Sequence, residues 1–221
     1  MNYYPPLLPG AFYHIYNRGN NRENIFIDKG NYKYFLDKYF RHTGIVADTY
    51  AYCLLRNHFH LLVRIKDEVN PVKGKPFRSQ PSQLPDKDLK GLASPGLSPE
   101  EIPEYTSQQF SNFFNSYTKS INKKYNRSGS LFLKPFRRKR VTGNEYLNQV
   151  LAYIHFNPQH HKFVKDFRGY PYSSYHEILS DAPSVLKKEA VLNWFGSKEN
   201  YLAFHQEYQD FATMKELIIE D

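Results

Sequence analysis

The chain has almost no cysteine. Cys53 stands alone among 221 residues, which excludes an internal disulfide framework and suits a reducing compartment such as the cytoplasm. Long apolar runs are also missing. No stretch approaches the roughly 20 residues that a membrane span needs, so no membrane partner is expected. The first residues, Met1-Asn2-Tyr3-Tyr4-Pro5-Pro6, offer neither a charged n-region nor an apolar h-region, so they do not read as a signal peptide. No GxxxxGK[ST] loop is present, which argues against a nucleotide cofactor. No cluster of Asp and Glu suits a two-metal nuclease.

Acid is scarce where base is richest. Between Tyr105 and Asn144 there is no Asp or Glu, while Lys119, Lys123, Lys124, Arg127, Lys134, Arg137, Arg138, Lys139 and Arg140 fall in that stretch. The residues from Asp181 to Asp221 reverse the balance, with eight acids against four bases. The net charge of +8 is therefore concentrated, as expected of a protein that binds a phosphate backbone. A solvated basic face is the plainer alternative. Aromatics make up 17% of the chain. Most of them serve a core, and some are available to stack on unpaired bases.

The pattern of apolar residues predicts the elements. Ala11 to Arg18 alternates and is rich in β-formers, so it reads as a strand. Tyr32, Phe35, Leu36, Tyr39 and Phe40 fall at helical spacing within Lys29 to Thr43, and Gly44 ends that helix. Residues 45–55 and 59–65 are two strands joined by a tight turn at Arg56-Asn57. Residues 67–104, with seven prolines among Ser, Gly, Lys and Asp, read as a flexible insertion. Phe110, Phe113, Phe114, Tyr117 and Ile121 form one apolar stripe of a helix. Leu131 to Val141 reads as a basic strand or extended arm. A helix over Asn144 to Phe156 is stopped by Asn157-Pro158. Short helices over 170–179, 187–195 and 198–208 form a C-terminal appendage.

The order β-α-β-β-(loop)-α-β-α predicts an α+β fold, a ferredoxin-like antiparallel sheet with helices on one face. Residues 1–66 and 105–165 form its main domain, 67–104 the insertion and 166–221 the appendage.

His58 and His60 are two apart. On a strand both imidazoles point to one face, and Phe59, Leu61, Val63 and Ile65 to the other. The pair then lies on the open face of the sheet beside Arg64, where it is able to share a divalent metal. Spacing alone is a modest signal. Its surroundings sharpen it. The string Ala51-Tyr52-Cys53-Leu54-Leu55-Arg56-Asn57-His58-Phe59-His60-Leu61-Leu62-Val63 resembles the His–hydrophobic–His strand of the HUH nucleases, and more narrowly the REP-associated tyrosine transposases. Three other segments carry the same resemblance in the family's order. They are Tyr13-His14-Ile15-Tyr16-Asn17-Arg18-Gly19-Asn20-Asn21-Arg22, then Arg127-Ser128-Gly129-Ser130-Leu131-Phe132 leading into Phe136-Arg137, then Tyr153-Ile154-His155-Phe156-Asn157-Pro158 followed by Tyr172-Ser173-Ser174-Tyr175.

The resemblance implies a metal-dependent enzyme, bacterial and nucleoid-associated, that cleaves and rejoins single-stranded DNA near imperfect hairpins through a 5′-phosphotyrosine. It implies Tyr153 as nucleophile, with Mg²⁺ or Mn²⁺ held by His58, His60 and Asn157, the last a neutral oxygen ligand four residues from Tyr153 on one helical face. Tyr117 and Tyr125 are rivals for the nucleophile. Tyr117 falls on an apolar stripe, and Tyr125 sits at a helix end where it is placed to stack on bases. By the same resemblance Asn17, Arg18, Asn20, Asn21 and Arg22 touch guide bases, and Arg137, Arg138, Lys139 and Arg140 hold hairpin phosphates. Arg64, Lys123, Lys124 and Arg127 complete the expected DNA-binding set. Two other readings stay open. One is a DNA- or RNA-hairpin binder without cutting activity. The other is a structural zinc protein completed by His155, His160 or His161, which the missing cysteines disfavour. Monomer and homodimer are both compatible with the sequence.

Overall fold

Apolar and aromatic residues build three strands and a basic run supplies a fourth, and the computed structural model, which describes residues 4–70 and 96–207, pairs them into one sheet. The strands are β1 (Phe12–Arg18), β2 (Ala47–Leu55), β3 (His58–Ile65) and β4 (Arg137–Val141). They pair antiparallel in the order β2-β3-β1-β4. Helix α1 (Lys29–Thr43) joins β1 to β2, and α2 (Ile102–Lys124) precedes β4. This is the expected ferredoxin-like order.

Side-chain parity decides what each face of the sheet meets. Phe59 points toward α1 and α2, with Phe35, Phe114 and Phe132 around its ring. Phe113 and Tyr117 complete this apolar layer, where truncating a buried aromatic costs about 3–5 kcal/mol. Asp28 caps α1 through a reciprocal pair of bonds with Asn31. Lys124 and Tyr125, at the end of α2, reach over to the same Asp28 carboxylate. Those two hydrogen bonds hold its pKa down at about 2.

The opposite face is not open. Helix α3 (Asn144–His160) covers it, and His58 and His60 lie beneath at 8% and 1% exposure. The sheet therefore carries α1 and α2 on one side and α3 on the other. Nor does α3 stop at Asn157-Pro158. Pro158 lies inside the helix, where its ring forgoes one backbone hydrogen bond, and the helix ends a turn later with His161 N–H donating to Asn157 O.

Residues 170–174 cover the edge of β2. Leu54 N–H donates to Tyr172 O, and Ser174 N–H donates to Tyr52 O. The free rim of an edge strand is thereby paired. Beyond it α4 (Tyr175–Leu179), α5 (Lys188–Phe195) and α6 (Lys198–Glu207) make the appendage. Among the described residues no helix is long and apolar enough to cross a membrane.

Several boundaries differ from expectation. The Pro-rich segment is shorter at its C-terminal end, since α2 begins at Ile102 with a proline in its first turn, a position where the missing N–H has no partner to lose. Val69 and Leu97, on either side of it, are joined by a backbone bond. The remainder, 71–95, and the acidic residues from 208 onward lie outside the described residues. The basic arm is strand only over 137–141, and within 170–179 only Tyr175–Leu179 is α-helical.

Candidate metal and nucleic-acid site

Register brings the site together. In the β1–β3 pair Arg18 lies opposite His58 and Tyr16 opposite His60. In the β1–β4 pair Arg137 lies opposite Tyr16. Strand alternation then puts His14, Tyr16, Arg18, His58, His60, Arg137 and Lys139 on the face that α3 covers.

Each imidazole of the pair is held from behind. His58 Nδ1 lies 2.8 Å from Asn57 Oδ1. An amide oxygen accepts, so Nδ1 carries the proton and Nε2 the lone pair. That Nε2 faces Asn157 Oδ1 at 3.3 Å. His60 Nδ1 lies 2.9 Å from His14 Nε2. Burial, then its neighbours His14, His58 and His161, push the His60 pKa well below the ordinary imidazole range, while a hydrogen bond to Asn157 acts the other way. His60 is therefore neutral near pH 7, the state in which an imidazole ligates metal.

Asn157 is fully buried, and its amide N–H points back to Tyr153 O at 3.5 Å. Tyr153 stands one turn earlier, with its ring edge-on to His60 at 5.5 Å and to His14 at 5.8 Å. At 2% exposure it is buried between α3 and the sheet.

A divalent cation fits this donor set. The lone pair of His58 and the oxygen of Asn157 face each other, an arrangement that a shared positive charge stabilises. Neighbouring ligands of an octahedral cation, each about 2.1 Å away, lie about 3 Å apart, close to the 3.3 Å observed. The set is two imidazoles and an amide. Among the described residues no group of three or more His, Cys, Asp or Glu is arranged to hold a metal ion, so the closed zinc alternative finds no support. His155, one of its proposed ligands, is bonded instead to Ser174 and His205.

A pocket of 370 Å³ opens beside the pair, with Arg18, Arg22 and Arg137 among its lining and His161 and Phe163 at its α3 side. His161 meets His58 edge-on at 4.7 Å. The turn Asn20–Arg22 carries Arg22 to this pocket through left-handed backbone at Asn21 and Arg22. It requires glycine at 19, because a Cβ there would sit 1.9 Å from Glu23 O.

The remaining expected contacts scatter. Arg64 shares the face of the pair but lies at the far end of β3, six residues and about 20 Å from His58, bonded to Asp67 at 2.8 Å. Arg138 and Arg140 point to the α1/α2 side. Arg138 donates to Pro5 O and Ser107 Oγ. Lys139, on the site face, lies over the Tyr146 ring. Lys124 is paired with Asp28, and Arg127 with Glu23 and Asn122. Lys123 is exposed at the end of α2. Asn17 is buried and ties β1 to the following arm through Leu133 O. Of the rival tyrosines, Tyr117 is buried and donates to Ile25 O, and Tyr125 is taken up by Asp28 and Asn31.

Sequence reasoning gave no role to His14, Tyr16 or Asn57, and named His161 only as a ligand in the zinc alternative. Alternation in β1 places His14 and Tyr16 on the side of Arg18. What it withholds is which strand lies next to them.

Comparison with known proteins finds no matching family model and no matching curated protein. Among solved structures, that of a REP-associated tyrosine transposase bound to a REP hairpin matches with a TM-score of 0.55 and 14% identity, covering 85% of this chain and 94% of the other. The α+β fold of this chain is thus similar to that of a REP-associated tyrosine transposase.

Proposed function

We propose that the protein is a metal-dependent tyrosine transposase or endonuclease that cuts and rejoins single-stranded DNA near hairpins. The observation that carries this reading is the meeting of His58, His60, Asn157 and Tyr153 beside a pocket lined by three arginines. His58, His60 and Asn157 would hold Mg²⁺ or Mn²⁺. When bound, the ion would offset charge on a non-bridging phosphate oxygen and orient the phosphate. Because all three side chains are neutral, they leave that charge for the substrate.

Arg18, Arg22 and Arg137 grip phosphates and unpaired bases entering the pocket. Tyr153 attacks phosphorus through its phenol oxygen. The new bond is Tyr153 O–P and the broken bond is P–O3′. The phenol gives up its proton, and the departing 3′ oxygen takes one up. The 5′-phosphotyrosine retains a phosphoester for rejoining, so no nucleotide cofactor is needed.

A second reading, hairpin binding without cutting, is favoured by one observation: Tyr153 is buried and does not line the pocket. On the first reading the tyrosine must turn out, or α3 must shift, when DNA enters. Incubation with labelled hairpin DNA and Mn²⁺, followed by a denaturing gel, separates the two. We expect a covalent protein–DNA adduct that vanishes with chelator and with Tyr153→Phe. Binding with no adduct under Mg²⁺ or Mn²⁺ would establish the second reading.

A further inference from the structure

We propose that His14 is a positioning residue for the metal site, acting through His60. This rests on the metal reading above and deepens it. His14 is 3% exposed and His60 is 1% exposed, and their rings are joined Nε2 to Nδ1 at 2.9 Å within 22° of a common plane. Two tautomers satisfy that contact. If His60 Nδ1–H donates to His14 Nε2, the lone pair of His60 is on Nε2 and is available to a metal. If the proton sits on His14 Nε2 instead, His60 must carry its own proton on Nε2 and is unable to ligate. The two imidazoles of the site then follow one plan. Asn57 on the β2–β3 turn holds His58 by Nδ1, and His14 on β1 holds His60 by Nδ1. Groups behind metal-bound histidines commonly fix the ring's tautomer and orientation in this way.

The reach is built into the register. His14 pairs across the sheet with Leu62, so its side chain crosses diagonally to His60, a distance that long side chains span. Its ring also lies edge-on to Tyr153 and stacks on Tyr16 at 4.9 Å. One side chain on β1 thus contacts both a metal ligand on β3 and the nucleophile on α3.

Two measurements on the full chain test this. The first is Mn²⁺ titration of the wild type, His14→Ala and His14→Gln. Loss of a group behind a ligand typically weakens metal affinity 10–100-fold. We expect His14→Ala to fall in that range and His14→Gln, whose amide oxygen accepts from His60 Nδ1–H, to recover most of the loss. The second is the two-bond ¹H–¹⁵N spectrum of the metal-free protein, which reads the tautomer directly. His60 should carry its proton on Nδ1. Unchanged Mn²⁺ affinity in His14→Ala, or a His60 proton on Nε2, overturns the inference while leaving the metal reading intact. A wild type that binds no Mn²⁺ overturns both. Should His14→Ala fail to fold, His14→Gln decides: near-wild-type affinity supports the role, and a full loss contradicts it.

Discussion

Arg137 and Arg138 are neighbours in sequence and opposites in the sheet. Arg137 lies opposite Tyr16 and lines the pocket, while Arg138 lies opposite Ile15 and bonds Pro5 O and Ser107 Oγ on the other face. The two should fail differently. On the proposed function, Arg137→Ala removes one phosphate contact, so hairpin binding should weaken and the slope of log affinity against log salt should fall by about 1. Arg138→Ala should leave that slope unchanged and lower stability by about 1–2 kcal/mol, since it loses charged-group hydrogen bonds that are only half-buried. Salt-dependent binding and urea unfolding measure the two effects, and an Arg138→Ala slope that drops like that of Arg137→Ala would contradict the assignment. At this scale the sequence was legible where a residue's role depends on its own element. His58 with His60, and Tyr153 with Asn157, share faces by spacing alone. His14 was not legible, because its partner lies on another strand. Arg64 was misplaced for a different reason: alternation gives its face, but six residues along β3 separate it from His58.

Helix α3 is the element on which the candidate site depends. It supplies Tyr153 and Asn157 toward the sheet, and one residue between them turns the other way. His155 anchors it. His155 Nε2 lies 2.9 Å from Ser174 Oγ, His155 Nδ1 lies 3.0 Å from His205 Nε2, and His205 Nδ1–H donates to Tyr201 O. These contacts form a buried relay in which a charge on either ring would be desolvated. Burial lowers the His205 pKa to about 4 and that of His155 well below the usual range. In the unfolded chain these groups take up protons near pH 6.5. The unfolded state therefore binds more protons between about pH 6.5 and 4, and stability falls as pH drops through that window. Thermal melts from pH 7.5 to 4.5 should show a falling midpoint, with a shallower fall in His205→Gln. Equal slopes would rule out the relay as a source. The sequence foresaw α3 but ended it at Pro158. A proline disfavours helix at the residue before it, yet here helix continues through Asn157, and that continuation keeps Asn157 one turn from Tyr153. The Tyr172-Ser173-Ser174-Tyr175 string, part of the resemblance, has a structural use as the cover of the β2 edge.

At the scale of the whole molecule, charge and topology point the same way with one revision. The basic block does not form a single patch. Asp28, Glu23 and the Ser107 hydroxyl take up Lys124, Arg127 and Arg138, and what gathers at the pocket is Arg137 together with Arg18 and Arg22 from the first strand and its turn. The order of elements was readable because helical and strand periods alternate clearly. That α3 covers the second face was not readable, since its apolar stripe fits either side of a sheet. Covering that face buries His58, His60, Asn157 and Tyr153 together, so the nucleophile is the assignment to test. Tyr16 lines the pocket and stacks on His60 at 5.8 Å, whereas Tyr153 lies behind. The direct measurement is to trap the protein on a hairpin oligonucleotide, digest it, and locate the nucleotide adduct by mass spectrometry. The proposed mechanism places the adduct on Tyr153. An adduct on Tyr16, or on any other residue, would contradict it.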